Sequence, residues 1–210
     1  MEPVFRLRPA SLENPPLLLL LHGYGSDESD LFGLAPYLDE RLLIASLRAP
    51  RRYPPGYGWY DVAFTQAGIQ VDEAHLPGSA EYVAEFLVRL AEKHPHRSVA
   101  ILGFSQGAAL ALQLLLTSPE RVDALIALSG HVPGVGWESR ASDAALSGKP
   151  VFVGHGTRDL VVPIAAGRDA KEKLGSLPLN LTYREYPMAH EISGETLEDL
   201  LSWFSSVVSF

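Results

Sequence analysis

The segment Gly103-Phe104-Ser105-Gln106-Gly107 carries the most chemistry in this chain. It is a G-x-S-x-G element set between an apolar run, Val99 to Gly103, and a stretch from Gln106 to Thr117 that is apolar almost all round. Glycines on either side let a strand turn sharply into a helix without a Cβ clash, which lifts the serine hydroxyl above the sheet edge. The helix behind it aims its first amides and its positive dipole end at the place where oxyanion charge would develop. A hydroxyl held this way needs a base to take its proton, and the base needs a carboxylate to orient it.

Seven histidines compete for the role of base. His94 and His96 close a surface helix and His75 lies in a proline-bounded loop, so all three read as solvated surface groups. His22, His131 and His155 each follow an apolar run. In sheets that carry a serine on such a turn, the order along the chain is nucleophile, acid, base. Asp159, just past the late apolar run Val151 to Val153, is the best-placed acid; Asp143 lies in an irregular loop, Asp123 at the wrong end of a strand and Asp169 within a helical stretch. Of the histidines, only His190 follows Asp159. Ser105, Asp159 and His190 are therefore expected to form a catalytic triad, the reading of Asp159 as a plain helix cap being the alternative.

Tetrahedral intermediates need preorganised amide donors. One is expected from Gln106, the residue after the nucleophile. The second is expected from Leu20-Leu21-His22-Gly23-Tyr24-Gly25, with the Tyr24 amide as donor, although a plain glycine turn explains that segment equally well by itself. The acids Asp27, Glu28 and Asp30 are explained by the dipole of the helix expected to follow them, and no metal site is expected.

These groups need a scaffold. Leu17 to Leu21, Leu42 to Leu47, Val99 to Gly103, Leu125 to Leu128 and Val151 to Val153 are near-continuous apolar runs, suited to strands covered on both faces. Leu179 to Tyr186 alternates more and suits an edge. Helical spacing marks Tyr82 to His94, behind the turn residues Pro77, Gly78 and Ser79, then Gln106 to Thr117, Pro163 to Leu174, and about Ser193 to Val208. Alternating strands and helices predict a single α/β domain over residues 1–210 with a mostly parallel central sheet and helices on both faces, and the Ser105 turn with the nucleophile–acid–base order makes the expected fold an α/β-hydrolase fold. Sites in such sheets gather beyond the carboxyl ends of the strands. Two stretches, Ala49 to Pro77 and Ser129 to Ser147, carry too many prolines, glycines and aromatics for a regular reading and are expected to be functional loops.

The 210 residues carry a formal net charge of −8, no cysteine and no long basic run. Nucleic acid is excluded as a partner on that charge pattern, and a thiol nucleophile or Cys-ligated metal on composition. The longest apolar runs are far too short to span a bilayer, so stable membrane insertion is not expected, and the cytoplasm is the expected location. A homodimer through exposed aromatic loops is compatible with the sequence, but no feature demands one.

Leu21-His22-Gly23-x-Gly25, Trp59-Tyr60-Asp61, the Ser105 pentapeptide, His155-Gly156-Thr157-x-Asp159 and Tyr186-Pro187-Met188-Ala189-His190-Glu191 together resemble the phospholipase/carboxylesterase family, which includes bacterial carboxylesterases and acyl-protein thioesterases. The resemblance implies the same triad, backbone amides of Tyr24 and Gln106 as oxyanion donors, an acyl pocket at Trp59 and Tyr60, and no cofactor. It implies a small-molecule ester or thioester as substrate. The expected activity is that of a serine carboxylesterase acting on esters of an apolar acyl group, with acyl thioesterase or lysophospholipase as the second reading. A non-catalytic binding protein on a hydrolase scaffold is the rival from another class. Relatives commonly carry Leu in place of Tyr24 and Gly in place of Ala108, and the first difference bears on pocket size.

Overall fold

The computed structural model describes residues 2–65 and 68–208. Its centre is a seven-stranded sheet built from β1 (Phe5–Arg8), β2 (Pro16–Leu21), β3 (Leu43–Leu47), β8 (Ser98–Phe104), β9 (Ala124–Leu128), β10 (Pro150–Gly156) and β11 (Asn180–Tyr186), in the order β1-β3-β2-β8-β9-β10-β11. Every neighbouring pair is parallel except β1 with β3. The apolar runs thus form the interior strands, and the alternating segment Asn180–Tyr186 closes one edge. β1 escaped the sequence reading because its four residues, Phe-Arg-Leu-Arg, contain no apolar run and pair on one side only.

Alternate residues of each strand enter two cores. Leu17, Leu19 and Leu21 face α1 (Leu76–Lys93), α2 (Gln106–Thr117) and α5 (Ile164–Gly175), while Leu18 and Leu20 face α6 (Gly194–Val207) and a short 3-10 segment, Leu31–Tyr37. Eleven consecutive residues of α2, Gln106 to Leu116, are buried, as its composition predicts for a helix enclosed on all sides. α1 begins six residues earlier than the spacing suggests, because Pro77 sits in its first turn, where a missing amide hydrogen costs nothing. α6 starts on Ser193, whose hydroxyl accepts from the Thr196 amide. Pro163 caps α5 rather than belonging to it.

The two irregular stretches hold more structure than expected. Residues 49–77 fold into two hairpins, β4 (Arg51–Tyr53) with β5 (Gly56–Gly58), and β6 (Asp61–Thr65) with β7 (Gly68–Asp72). Residues 129–147 carry two short helices, α3 (Gly134–Glu138) and α4 (Asp143–Leu146), so Asp143 opens a helical turn instead of lying in a loop. The aromatics expected to be exposed there turn inward: Trp59 and Tyr60 are fully buried, and the large exposed apolar side chains are Leu160, Val161, Val71 and Tyr37 among others. No helix among the described residues is long and apolar enough to cross a membrane.

Candidate active site

Ser105 sits at the turn between β8 and α2 with φ 55° and ψ −115°, outside the regions an L-residue prefers. Such strain persists only where the surroundings impose it. Here they do: a Cβ on Gly103 would lie 2.2 Å from the Gly107 oxygen, and one on Gly107 would lie 1.9 Å from the Leu21 oxygen. The Ser105 amide donates to Leu128 O at 2.9 Å, and its carbonyl accepts from Ala108 and Ala109. The turn is thereby fixed to both neighbouring strands.

His190 follows β11 and brings Nε2 to 3.0 Å from Ser105 Oγ. Its Nδ1 lies 2.7 Å from Asp159 Oδ2. The other oxygen of Asp159 accepts from the amides of Val161 and Val162, both at 2.9 Å. The carboxylate is buried, so these three donors take the place of water around its charge. Because a carboxylate only accepts, the His190 proton belongs on Nδ1, and Nε2 presents its lone pair to the serine. The Phe104 ring lies 4.8 Å from the imidazole and backs it. The three side chains singled out by chain order thus meet in one hydrogen-bonded line.

The other histidines have visible alternative tasks. His22 is fully buried, donates from Nδ1 to Gly23 O at 2.7 Å and accepts at Nε2 from the Ala49 amide at 3.0 Å, which locks the Gly23 loop to the end of β3. Burial pushes its pKa down. His155 is also buried and donates to Val162 O at 2.8 Å, clamping the loop that carries Asp159. His96 bonds the carbonyl of His94 at the end of α1, and His75 approaches Asp61 at 3.6 Å.

The acids expected to serve a helix dipole have other partners. Glu28 makes a two-pronged bond to Arg48 at 2.5 and 2.6 Å, Asp27 accepts from the Ser29 amide, and Asp30 accepts from the Ser26 hydroxyl. The segment that follows is a 3-10 helix with no side-chain cap. Arg48 holds the Glu28 carboxyl below the usual range. Among the described residues, Asp61, Asp72 and His75 bring possible metal-ligand atoms within 4.8 Å of one another. Arg51 and Tyr53 already engage Asp61, which leaves that group little spare charge for a cation.

A cavity of about 430 Å³ opens over Ser105 and His190. Its wall is mostly apolar, with Val62 and Val71 from the second hairpin, Val161, Val162, Pro163 and Ala166 from the Asp159 loop and α5, and Tyr60 and Phe104 below. Gly23, Tyr24 and Gln106 line it beside the serine. Trp59, expected in the pocket wall, is not there. Its indole N–H donates to His22 O at 2.8 Å and the ring is sealed behind the cavity, so it braces the loops and touches no ligand space. The Gln106 side chain makes contacts that the sequence did not reveal: it accepts from the Trp59 amide at 2.8 Å and donates to Tyr60 O at 2.7 Å. Also unforeseen is His131 in the cavity wall, bonded to Glu73 at 3.2 Å. The Val-Val-Pro run after Asp159 was a legible apolar signal; the His131–Glu73 pair, 58 residues apart in sequence, had none.

The phospholipase/carboxylesterase family model matches residues 5–208. Acyl-protein thioesterase 1 of Kluyveromyces lactis is 31% identical, over 98% of this chain and 99% of its own. Among solved structures, esterase PE8 is 26% identical with a TM-score of 0.86, over 99% of this chain and 100% of its own. The Bacillus cereus carboxylesterase, 24% identical, superposes with a TM-score of 0.87 over 98% of this chain and 95% of its own.

Proposed function

Because the chain belongs to the phospholipase/carboxylesterase family and is a hydrolase of ester bonds, we propose that it is a serine carboxylesterase working through an acyl-enzyme on Ser105. His190 Nε2 takes the hydroxyl proton as Oγ attacks the carbonyl carbon, and Asp159 stabilises the imidazolium that results. The amides of Tyr24 and Gln106 receive the oxyanion. Collapse expels the alcohol, which leaves with the proton held by His190. Water, deprotonated by the same ring, then releases the acid and restores the serine. Every proton has a donor and an acceptor in this cycle, so it calls for no metal or organic cofactor.

The observation that carries the reading is the line Asp159–His190–Ser105, with contacts of 2.7 and 3.0 Å, at the floor of an apolar cavity. An apolar wall favours an apolar acyl group, since burying each methylene gains about 0.8 kcal/mol. Hydrolysis of thioesters by the same triad is the second reading, favoured by the 31% identity to a protein named acyl-protein thioesterase 1; lysophospholipids are a third substrate class open to this chemistry. A non-catalytic binding role would leave the complete triad without a purpose. The test is Ser105→Ala: it should abolish both burst release of alcohol from an activated ester and labelling by a fluorophosphonate. Full turnover in that variant would overturn the assignment.

A further inference from the structure

Apart from the catalytic groups the cavity wall is mostly apolar, and His131 joins Ser26 and Asp30 among its polar members. This residue follows β9, one position after Gly130, whose own Cβ, were there one, would lie 3.2 Å from Ser105 O. His131 lines the same cavity as Ser105 and His190. Its Nε2 is held at 3.2 Å by Glu73 Oε1, while Glu73 Oε2 accepts from the Val135 amide at 3.1 Å. Val135 belongs to α3 and Glu73 to the turn before α1, so two separate elements hold this imidazole in place. The buried Tyr60 ring meets it edge-on at 6.5 Å. The His131 bond keeps the Glu73 carboxyl below the usual range, helped by the α3 amides and opposed by partial burial.

An ionised carboxylate can only accept, so the proton of neutral His131 is fixed on Nε2. Among the described residues the other nitrogen, Nδ1, has no hydrogen-bond partner, and it belongs to a residue that lines the cavity. A lone pair is thus available on a residue that shares a mostly apolar cavity with Ser105 and His190. We propose that His131, oriented by Glu73, is a specificity-determining acceptor that selects esters carrying a hydroxyl group on the part of the substrate lodged against this wall. The inference rests on the proposed esterase reading and refines its substrate class. An acyl hydroxyl and an alcohol-side hydroxyl offer the same chemistry, and separate substrate series distinguish them. An anionic substituent is disfavoured there, because Asp30 lines the cavity and the Glu73 carboxylate is bonded to His131 itself.

The experiment compares kcat/KM for matched esters in which one carbon bears either a hydroxyl or a keto oxygen, the position being moved along the acyl chain in one series and along the alcohol in the other. The two substituents are close in size, but only the hydroxyl donates. Wild-type protein should prefer the hydroxy ester by about tenfold at one position of one series, the scale of a single well-placed neutral hydrogen bond. In His131→Leu that ratio should fall to near one. In Glu73→Gln the side-chain amide can donate to Nε2, which moves the ring proton to Nδ1, so the ratio should shrink or invert. A purely structural role for the pair would lower both rates together and leave the ratio alone. Hydrolysis of unsubstituted esters by wild type, and its loss in Ser105→Ala, establishes the esterase reading independently. With that in hand, a wild-type ratio near one at every position, or an unchanged ratio in both variants, overturns the subsite.

Discussion

Replacing Asp159 by Asn isolates the one thing a charge does in this site. Oδ1 accepts from two backbone amides, Val161 and Val162, so the amide oxygen of an asparagine is drawn to that position. Its NH2 then faces His190 Nδ1, 2.7 Å away in the parent protein. Two donors cannot bond each other, and the imidazole resolves the conflict by moving its proton to Nε2. That nitrogen, 3.0 Å from Ser105 Oγ, then donates and can no longer take the serine proton. The expected loss in kcat is about ten-thousand-fold near neutral pH, or roughly 5 kcal/mol in the barrier. Because all backbone partners of the side chain are kept, the melting temperature should stay within about 5 °C of the parent. The assay is hydrolysis of an activated ester at saturating substrate, with calorimetry on the same samples. A well-folded variant that keeps kcat within tenfold would show that Asp159 does not set the tautomer of His190.

Trp59→Phe should cost stability without altering substrate ranking. It leaves the buried His22 carbonyl without its indole partner, a loss of about 1–3 kcal/mol readable by urea denaturation; a changed order of preference across acyl lengths would contradict its placement outside the cavity. Val162→Trp should fill the apolar wall and lower kcat/KM for long acyl esters, relative to acetyl esters, by roughly tenfold or more. Uniform losses at all chain lengths would remove that wall from the acyl path. Acid should weaken the fold through His22, whose pKa burial depresses. The unfolded ring protonates near its ordinary value of about 6.5 whereas the folded one resists, so this contribution is whole above that pH and is lost as the pH falls below it. Urea midpoints at pH 7.5 and 5.5 should show the drop, and it should be smaller in His22→Gln; equal drops would assign it to other groups.

The interior strands, and the three side chains that meet at 2.7 and 3.0 Å, were legible because both obey rules tied to short stretches of chain. Apolar runs buried on both faces announce themselves; Ser105 and Asp159 lie a few residues beyond the ends of two of them, and His190 follows the alternating edge strand, in the order nucleophile, acid, base. What stayed hidden depends on partners distant in sequence. Nothing near Glu28 points to Arg48, 20 residues on, so a dipole was the natural explanation for what is an ion pair. Trp59 reads as a pocket residue in a stretch rich in aromatics, glycine and proline, and only the position of the His22 carbonyl turns it into a brace. The hairpins of residues 51–72 lack a periodic signal because prolines and glycines interrupt any alternation, and their pairing is visible only in three dimensions.

The side chain of Gln106 has a consequence for how this enzyme can change. Its backbone N–H is assigned to the reacting oxygen, and its carboxamide grips the peptide groups on either side of the Trp59–Tyr60 bond. A shift in the Tyr60 wall to admit a bulkier ligand therefore pulls on the residue proposed to cradle the transition state. Selectivity and speed share a hinge at this point, and variants chosen for a wider pocket at position 60 will trade turnover for breadth unless a compensating change re-anchors the carboxamide.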